Sequence, residues 1–289
     1  MRHAGSCALP LPKKNERYCF SEWISVVCPE YPNKLADRRE IAVSVATRTH
    51  KGRVRKNNED SLLLERPYLF AIADGMGGYN AGEVASKLAL EKLKAEKEDL
   101  YGKNGFALVS KLYQIMRDIN EEVYDKARSE FALEGMGTTL SGIYFNGQGK
   151  GYVFNVGDSR VYLLRQNHLK QITRDHSLVA EMVENGKLTQ EEAFNHPQKN
   201  MLTRGIGVNK NVNGDVFVID IYTDDIILLC SDGLTDMLHD TEIAEYLQKE
   251  DTEASADALL SASLEKGGRD NISFIILNLD RKEVEHDGR

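Results

Sequence analysis

The sequence predicts an α+β fold with four layers, in which two mainly antiparallel β-sheets pack face to face and helix pairs cover their outer faces. Strand patterns joined by short turns with Gly, Asn or Asp follow one another between residues 138 and 172, which is typical of an antiparallel meander. Two amphipathic helix patterns precede this meander and two follow it. This order is not the strict alternation of a Rossmann domain, and it favours stacked sheets with external helices.

The period of the apolar residues assigns the individual elements in chain order. In the first half we expect strands at 41–46, 61–64 and 68–73, helices at 81–97 and 106–131, and strands at 138–144, 151–156, 160–164 and 169–172. In the second half we expect a short helix at 177–185, strands at 215–222 and 226–230, helices at 240–249 and 253–266, and a strand at 271–277.

The chain of 289 residues is long enough for one large domain with a sizeable core. Residues 1–38 contain several prolines and no sustained period, which predicts a partly disordered N-terminal extension. The domain proper is predicted to span 39–280, and 281–289 forms a polar tail. Within the domain, residues 174–210 have little core character, which is typical of a lid or a binding loop.

The overall charge and the cysteines exclude several classes of protein. A net charge of −8 argues against a general surface for nucleic acid or anionic membranes. No apolar run approaches the ~20 residues that span a bilayer, and the N-terminus lacks the apolar stretch of a secretory signal. The four cysteines, Cys7, Cys19, Cys28 and Cys230, form neither a zinc motif nor a disulfide framework. We therefore expect a cytoplasmic protein, and a monomer.

Aspartates stand at the edges of several predicted strands. An apolar run leads to Asp74, which three glycines follow within four residues, and similar runs lead to Asp158 and Asp232. Asp60 and Asp270 stand at comparable edges beside Ser or Asn. A single aspartate of this kind is most often a turn former or a helix cap. Five of them in this arrangement favour one shared acidic pocket.

Such a pocket predicts a site for divalent metal ions. Converging carboxylates repel one another unless a cation lies between them, and oxygen ligands without His or Cys favour Mn²⁺ or Mg²⁺ over Zn²⁺. Two ions about 3.5 to 4 Å apart can share a carboxylate and a bridging hydroxide, which attacks phosphorus. Arg55, just ahead of Glu59 and Asp60, could hold a phosphate dianion. A solvated basic turn is an equally good interpretation of Arg55.

Other catalytic templates lack their motifs. The sequence contains no GxxxxGK[ST], HExxH or GxSxG, so P-loop, zincin and α/β-hydrolase chemistry lose their main support. His50, His176 and His196 lie near the proposed site segments. Each is more often a surface or hydrogen-bonded histidine than a catalyst, because no partner residues point to a ligand role.

Six motifs resemble, in order, those of the metal-dependent protein phosphatases of the PP2C class in their compact bacterial form. They are RKNNED at 55–60, DGMGG at 74–78, GMGTTL at 135–140, NVGDSR at 155–160, SDGL at 231–234 and RDN at 269–271. The resemblance covers about residues 41–279. It implies an α-β-β-α sandwich with the metal site at one end of both sheets.

The resemblance also implies a set of metal ligands. Asp74 would bridge two core ions, and the carbonyl of Gly75 would bind one of them. Asp232 and Asp270 would hold the other ion. A third, weaker ion would lie between Asp158 and Asp232.

The remaining implied roles concern water, phosphate and access to the site. Glu59 and Asp60 would orient metal-bound waters, and Arg55 would bind the substrate phosphate. Residues 174–210 match the flap of the family. One position departs from many eukaryotic members, which carry a histidine after Asp-Gly as a proposed acid for the leaving group. This chain has Met76, whose thioether cannot donate a proton, so the general acid stays unassigned; a metal-bound water or a flap residue such as His176 could serve.

These observations predict a protein serine/threonine phosphatase that hydrolyses phosphoproteins by direct attack of a hydroxide bridging two Mn²⁺ or Mg²⁺ ions. We expect phosphoprotein substrates made by a partner serine/threonine kinase. An inactive relative that binds phosphoproteins as a regulatory module is one alternative, although every expected acid is present. A metal-dependent phosphatase of small molecules or nucleotides is another.

Overall fold

Two antiparallel sheets form the centre of the computed structural model, which describes residues 41–78, 81–249 and 251–281. The predicted extension at 1–38 and residues 282–289 of the predicted tail lie outside these ranges. The first sheet has the order β1 (Ile41–His50), β11 (Ile272–Arg281), β10 (Ile226–Cys230), β7 (Arg160–Arg165) and β8 (His168–Gln171). The second has the order β2 (Asp60–Glu65), β3 (Leu69–Met76), β5 (Leu140–Phe145), β6 (Lys150–Val156) and β9 (Asp215–Asp220), and the short β4 (Gly137–Thr138) pairs with β3.

The continuous apolar run of β3 has two buried faces. Phe70 and Ile72 pack between the two sheets, against β10 and β11 residues such as Leu229 and Ile275. The alternate residues of β3 face the helices on the other side. Because neither face meets water, the strand shows no alternation of polar and apolar residues.

Helix pairs cover the outer face of each sheet. On the second sheet lie α1 (Ala81–Ala95) and α2 (Gly105–Ser129), whose buried apolar residues share a core with β3, β5 and β6. On the first sheet lie α6 (Asp240–Leu247) and α7 (Thr252–Glu265), which share a core with β7, β10 and β11. The α-β-β-α sandwich is therefore confirmed. No helix in the described ranges is long and apolar enough to cross a membrane.

The insertion between β8 and β9 contains two short helices, α3 (Leu178–Glu184) and α4 (Gln190–Phe194). The sequence predicts α3, but α4 is too short to show a period. A capping box between Thr189 and Glu192 starts α4. The end of the insertion returns to the second sheet through a bridge between Thr138 and Ile206.

Two boundaries near the predicted site differ from the prediction. The strand predicted to end at residue 73 continues through Met76, because its last residues pair with β4. Asp74 therefore lies inside a strand and not beyond its end. A single-turn helix, α5 (Asp232–Thr235), begins at another predicted acid, Asp232, and is too short to detect from periodicity.

Candidate metal and phosphate site

Asp60 and Asp74 lie directly opposite each other on the neighbouring strands β2 and β3. Opposite residues of an antiparallel pair hold their side chains close together, and like charges in that position are destabilising. Asp60 is only 9% exposed, and its Oδ2 accepts a hydrogen bond from Ser231 Oγ at 2.9 Å. Because Ser231 follows β10, this bond joins the ends of the two sheets at the acids.

The backbone of Asp74 is fixed by two threonines that follow α2. Its N–H donates to Thr139 Oγ1 at 2.9 Å, and its carbonyl accepts from the Thr139 N–H and from Thr138 Oγ1, both at 2.9 Å. Thr139 Oγ1 is also 2.7 Å from Ser159 Oγ. These buried bonds set the position from which the Asp74 carboxylate enters the site.

Two glycines let the start of α1 approach β3 closely. A Cβ on Gly75 would lie 2.1 Å from the carbonyl oxygen of Gly82, and a Cβ on Gly82 would lie 2.7 Å from Glu59 Oε2. The Gly75 N–H donates to the Glu59 carbonyl at 3.2 Å. Only residues without a Cβ fit here, so the glycines hold the Glu59 carboxylate next to the Gly75 backbone.

The first sheet contributes Asp232 after β10 and Asp270 before β11. Beside Asp270 stands Asn271, a 6% exposed residue to which the sequence assigned no role. Its Nδ2 donates to the carbonyls of Lys51 at 3.0 Å and Asn57 at 2.8 Å, and its Oδ1 accepts from the Glu59 N–H at 2.9 Å. Asn271 thus fastens the 51–59 loop to the acids. Its place in the RDN motif at 269–271 is the sequence signal that could have identified this role.

Arg55 lies on that loop and reaches the acids. Its Nη2 is 2.7 Å from Asp270 Oδ2, and the two side chains are 54% and 20% exposed. Burial opposes the charge of the guanidinium, but Asp270, Asp232 and Asp74 outweigh it, so the pKa of Arg55 lies above its ordinary value. The arginine is therefore a permanent cation at the open side of the acidic pocket.

Burial is the largest cause of the raised pKa values in the pocket. It raises the pKa of Asp60 to about 6 and that of Asp158 to about 7. The pKa values of Asp74 and Asp232 also lie well above the ordinary value, first through burial and then through repulsion between carboxylates. For Asp74 the repelling groups are Asp60, Asp232, Asp158 and Asp270. The acids therefore act as one electrostatic unit, which a cation would stabilise.

The donor atoms of this unit fit a divalent ion. Asp60 Oδ1 and Asp232 Oδ1 are buried and have no hydrogen-bond partner. In the part of the chain that the structure describes, no three acidic, His or Cys groups close around one point as a ready cage. Water, backbone carbonyls and phosphate oxygen would have to complete a coordination sphere, which is usual for Mg²⁺. The oxygen-only donor set favours Mn²⁺ or Mg²⁺.

A further acid, Asp236, lies beside the predicted third-ion position. Its negative charge is one of the causes that raise the pKa values of Asp232 and Asp158. Asp236 was not predicted from the sequence, although its spacing of four from Asp232 places both on one helix face. Near Asp158, Arg160 donates from Nε and Nη2 to Asp175 Oδ2 at 3.0 and 2.7 Å, which attaches the start of the insertion to β7.

His176 and Met76 are both packed against the insertion or its neighbouring turn. His176 is 4% exposed; its Nδ1 accepts from the Gly157 N–H at 3.1 Å, and its Nε2 is 3.3 Å from Asp215 Oδ2. These contacts give His176 a positioning role between the insertion and the turn before Asp158. The Met76 Cε lies 2.6 Å from where a Gly205 Cβ would stand, so this methionine packs on the insertion.

The structure thus brings all eight predicted residues to one end of the two sheets. Arg55 and Glu59 lie on the loop before β2, and Asp60 is the first residue of that strand. Asp74 and Gly75 lie on β3. Asp158 lies between β6 and β7, Asp232 begins α5 after β10, and Asp270 lies before β11. Their assignment as metal, water and phosphate ligands stays a prediction.

Comparisons with known proteins agree with this arrangement. Residues 46–184 match the family Protein phosphatase 2C. The chain is 40% identical over 239 residues to the serine/threonine phosphatase stp of Listeria monocytogenes, covering 81% of this chain and 94% of that protein. The crystal structure of the Mycobacterium tuberculosis serine/threonine phosphatase PstP/Ppp superimposes with a TM-score of 0.78 at 38% identity, covering 84% of this chain and 100% of that one.

The catalytic domain of PstP, solved in complex with two manganese ions, superimposes with a TM-score of 0.75 at 36% identity, covering 83% of this chain and 100% of that one. The matches therefore extend over nearly the whole described part of the chain. They agree with the order of the motifs, with the sandwich fold and with the group of acids at one end of the two sheets. The chain belongs to the protein phosphatase 2C family.

Proposed function

We propose that this chain hydrolyses phosphoserine and phosphothreonine in proteins with the help of two Mn²⁺ or Mg²⁺ ions. The observation that carries the proposal is the meeting of acids from both sheets at one end, with the cationic Arg55 beside them. The relatives named serine/threonine phosphatases support the substrate class, and the PstP domain with two manganese ions supports the metal.

The metal ligands in this proposal are the carboxylates of Asp74, Asp232 and Asp270 and the carbonyl of Gly75. Asp158 and Asp232 would hold a third ion. When bound, such ions supply Lewis acidity at phosphorus and a hydroxide from water at neutral pH. The unsatisfied, buried Asp232 Oδ1 supports its assignment as a ligand.

The side chains around the ions position the reactants. Arg55 is placed to exchange its ion pair with Asp270 for a bidentate grip on the phosphate dianion. Glu59 and Asp60 accept hydrogen bonds from water at the site. Hydrolysis forms one bond from water oxygen to phosphorus and breaks the ester bond to the serine or threonine oxygen. Met76 has no proton to give that oxygen, so the proton comes from water or from another residue.

Finer features of the function belong to the same proposal. We expect a cytoplasmic monomer that acts on proteins phosphorylated by a partner serine/threonine kinase. The lack of a disulfide or zinc pattern among the cysteines supports a reducing compartment. Light scattering of the purified chain tests the monomer. Phosphoproteome changes after loss of the protein, compared with those after loss of a kinase, test the partnership.

The test measures phosphate release from a phosphothreonine peptide by the full chain with Mn²⁺. Asp74→Asn and Asp232→Asn should each lower kcat at least 100-fold, because each removes a charged ligand from the pocket. Both should also lose the rise in thermal midpoint that Mn²⁺ gives the wild type through linkage. Asp257→Asn, on the exposed side of α7, is the matched control. Undiminished activity in either site variant would refute the ligand assignment.

The two alternatives give different results in the same assay. An inactive binding module would bind phosphopeptides without releasing phosphate. A phosphatase of small molecules would hydrolyse free phosphomonoesters faster than any phosphopeptide. Activity that persists in excess chelator would exclude the metal mechanism.

A further inference from the structure

A polar cavity of about 140 Å³ lies within the last part of the insertion and the loop that follows it. We call it the flap pocket. Its lining includes Thr203, Arg204 and the three asparagines Asn209, Asn211 and Asn213. One guanidinium and three amides give this small space many hydrogen-bond donors. None of these residues belongs to the predicted metal site.

The flap pocket is attached directly to the strand that carries Asp74. Ile206 exchanges two backbone hydrogen bonds with Thr138, at 3.0 and 2.8 Å, and Thr138 Oγ1 donates to the Asp74 carbonyl at 2.9 Å. Gly205, which lines the pocket, packs on Met76, two residues after Asp74. A peptide whose phosphoresidue lies in the acidic site would therefore have neighbouring side chains within reach of the pocket.

A buried asparagine on α2 holds the pocket in shape. Asn120 is 1% exposed and donates from Nδ2 to the carbonyls of Asn209 at 3.0 Å and Lys210 at 3.1 Å. Its Oδ1 accepts from the Gly207 N–H at 2.9 Å. The Asn120 amide thus makes three hydrogen bonds to residues 207–210. These bonds fix the part of the pocket wall that includes Asn209.

Arg204 is the one charged residue among the described residues that line the pocket. Arg204 Nη1 lies 3.6 Å from Asp215 Oδ1, 3.4 Å from the Asn213 carbonyl and 3.3 Å from His176 Nε2. The positive charge of Arg174 also contributes to the lowered pKa of Asp215. Two arginines therefore act on this one carboxylate, and Lys210 lies on the loop between two lining residues. The Arg204 side chain is 42% exposed, so its guanidinium can reach a ligand.

We propose that the flap pocket binds an anionic group, a carboxylate or a second phosphate, on the same peptide as the scissile phosphoresidue. The Arg204 guanidinium would pair with the anion, and the asparagine amides would donate to its remaining oxygens. The proposal rests on the proposed phosphatase function and adds a substrate preference to it. In a chain with a net charge of −8, a local cationic pocket beside the acidic site would select the register of the peptide.

The test uses the full chain with Mn²⁺ and a set of phosphothreonine peptides. Each peptide carries a neutral residue, a glutamate or a second phosphothreonine at one position within four residues of the scissile site. An anion at one or two of these positions should raise kcat/KM about 10-fold, mainly by lowering KM, because the contact is present in both ground and transition states. The glutamate and phosphothreonine series separate the two sources of the anion.

Three variants report on the pocket. Arg204→Gln should reduce the preference for an anion to below 2-fold, and Asn211→Asp should do the same without removing the arginine. Asn211→Lys should increase the preference. Arg128→Gln, which removes an exposed arginine that contacts Tyr124 on α2, should leave it unchanged. Hydrolysis of p-nitrophenyl phosphate, which has no flanking residues, should be the same in all of these proteins.

Equal rates on neutral and anionic peptides in the wild type would overturn the pocket proposal while leaving the phosphatase function intact. So would an equal loss of preference in Arg204→Gln and Arg128→Gln, or an unaltered preference in both Asn211 variants. A wild type that releases no phosphate from any peptide would overturn the phosphatase function itself, and the pocket proposal with it.

Discussion

At the scale of single residues, the backbones of Gly75 and Gly82 pack so closely that a Cβ on Gly75 would lie 2.1 Å from the Gly82 carbonyl oxygen. Gly82 is the second residue of α1, where alanine would favour the helix by about 1 kcal/mol. A Cβ on Gly82 would however lie 2.7 Å from the Gly75 carbonyl carbon. Backbone atoms cannot swing aside as the end of a side chain can. The steric effect should therefore outweigh the helix propensity.

We predict that Gly82→Ala lowers the free energy of unfolding by about 1–3 kcal/mol, the usual range for overpacking. It should also lower kcat, because it displaces the Gly75 carbonyl and the Glu59 carboxylate together. Urea unfolding and the phosphopeptide assay measure the two effects. The matched control is Gly78→Ala, since a Cβ there would meet nothing within 4 Å. A more stable and fully active Gly82→Ala protein would contradict the proposed close packing.

A second residue links the insertion to the pH dependence of stability. The pKa of Asp215 lies below its ordinary value, first because of its hydrogen bond with His176 and then because Arg204 and Arg174 favour its charge over the opposing effect of burial. A lowered folded-state pKa gives stability that is complete above the unfolded pKa, near 4, and that disappears as the pH falls through the folded value.

We therefore expect Asp215→Asn to destabilise the protein at pH 7 by about 1 kcal/mol, a modest figure because the carboxylate is partly exposed. The difference from the wild type should shrink as the pH falls from the unfolded pKa near 4 through the lowered folded-state pKa. Urea unfolding in excess chelator at pH 7, 5 and 3 measures it. A difference that stays constant over this range would argue against an electrostatic role for Asp215.

At the scale of elements, a group of side-chain contacts holds the insertion against the region of α5 and α6. Lys199 Nζ lies 2.9 Å from Asp236 Oδ1 and 5.4 Å from the centre of the Phe194 ring. That ring stacks on His239 with centroids 4.1 Å apart. The Lys199 and Asp236 side chains are 26% and 21% exposed, so solvent screens this pair only in part. The contacts place the insertion against the α5–α6 region.

Loss of the ion pair should open the insertion without unfolding the domain. For Lys199→Gln we predict about fivefold faster proteolysis between residues 186 and 200. This ratio corresponds to a free energy of local opening that is lower by about 1 kcal/mol. The global unfolding energy should change by less than about 0.5 kcal/mol. Lys266→Gln, which removes a lysine paired with Glu242 at 2.6 Å outside the insertion, is the control. Equal cleavage in the two variants would show that Lys199 does not hold the insertion.

At the scale of the whole molecule, the two sheets and their helices bury one cysteine completely. Cys230 ends β10, the central strand of the first sheet, and is 0% exposed. Burial raises the pKa of its thiol far above the ordinary value, so the reactive thiolate is suppressed. The Cys230 side chain packs in the core that the first sheet shares with α6 and α7, so a reagent can reach it only when the sheet loses these helix contacts or its strands separate.

We predict that Cys230 reacts with a thiol reagent at pH 8 only at the rate of global unfolding. Mass spectrometry of the peptide that contains Cys230, after labelling in increasing urea, measures that rate. The peptides with Cys7, Cys19 and Cys28 are read separately, since these residues lie outside the described ranges. Labelling of Cys230 in native conditions, faster than unfolding allows, would show that the first sheet opens locally.

Much of this architecture could be predicted because it depends on local patterns. The period of the apolar residues identified most strands and helices, and the order of these elements predicted the α-β-β-α sandwich. The helices α4 and α5, with five and four residues, were not predicted because they are too short to show a period. The acids were recognisable because each stands in a short motif with Gly, Ser or Asn.

The sequence alone determined which residues could bind metal and phosphate, since residue type and motif decide that chemistry. Only the tertiary structure decided how they meet. The register of β2 on β3 places Asp60 opposite Asp74, and the Asn271 amide fastens a loop 220 residues away in sequence at Lys51. Asn120 on α2 likewise holds residues 207–210, which form part of the wall of the flap pocket. Such contacts join residues far apart in the chain, and packing of the whole domain is what brings them within hydrogen-bonding distance.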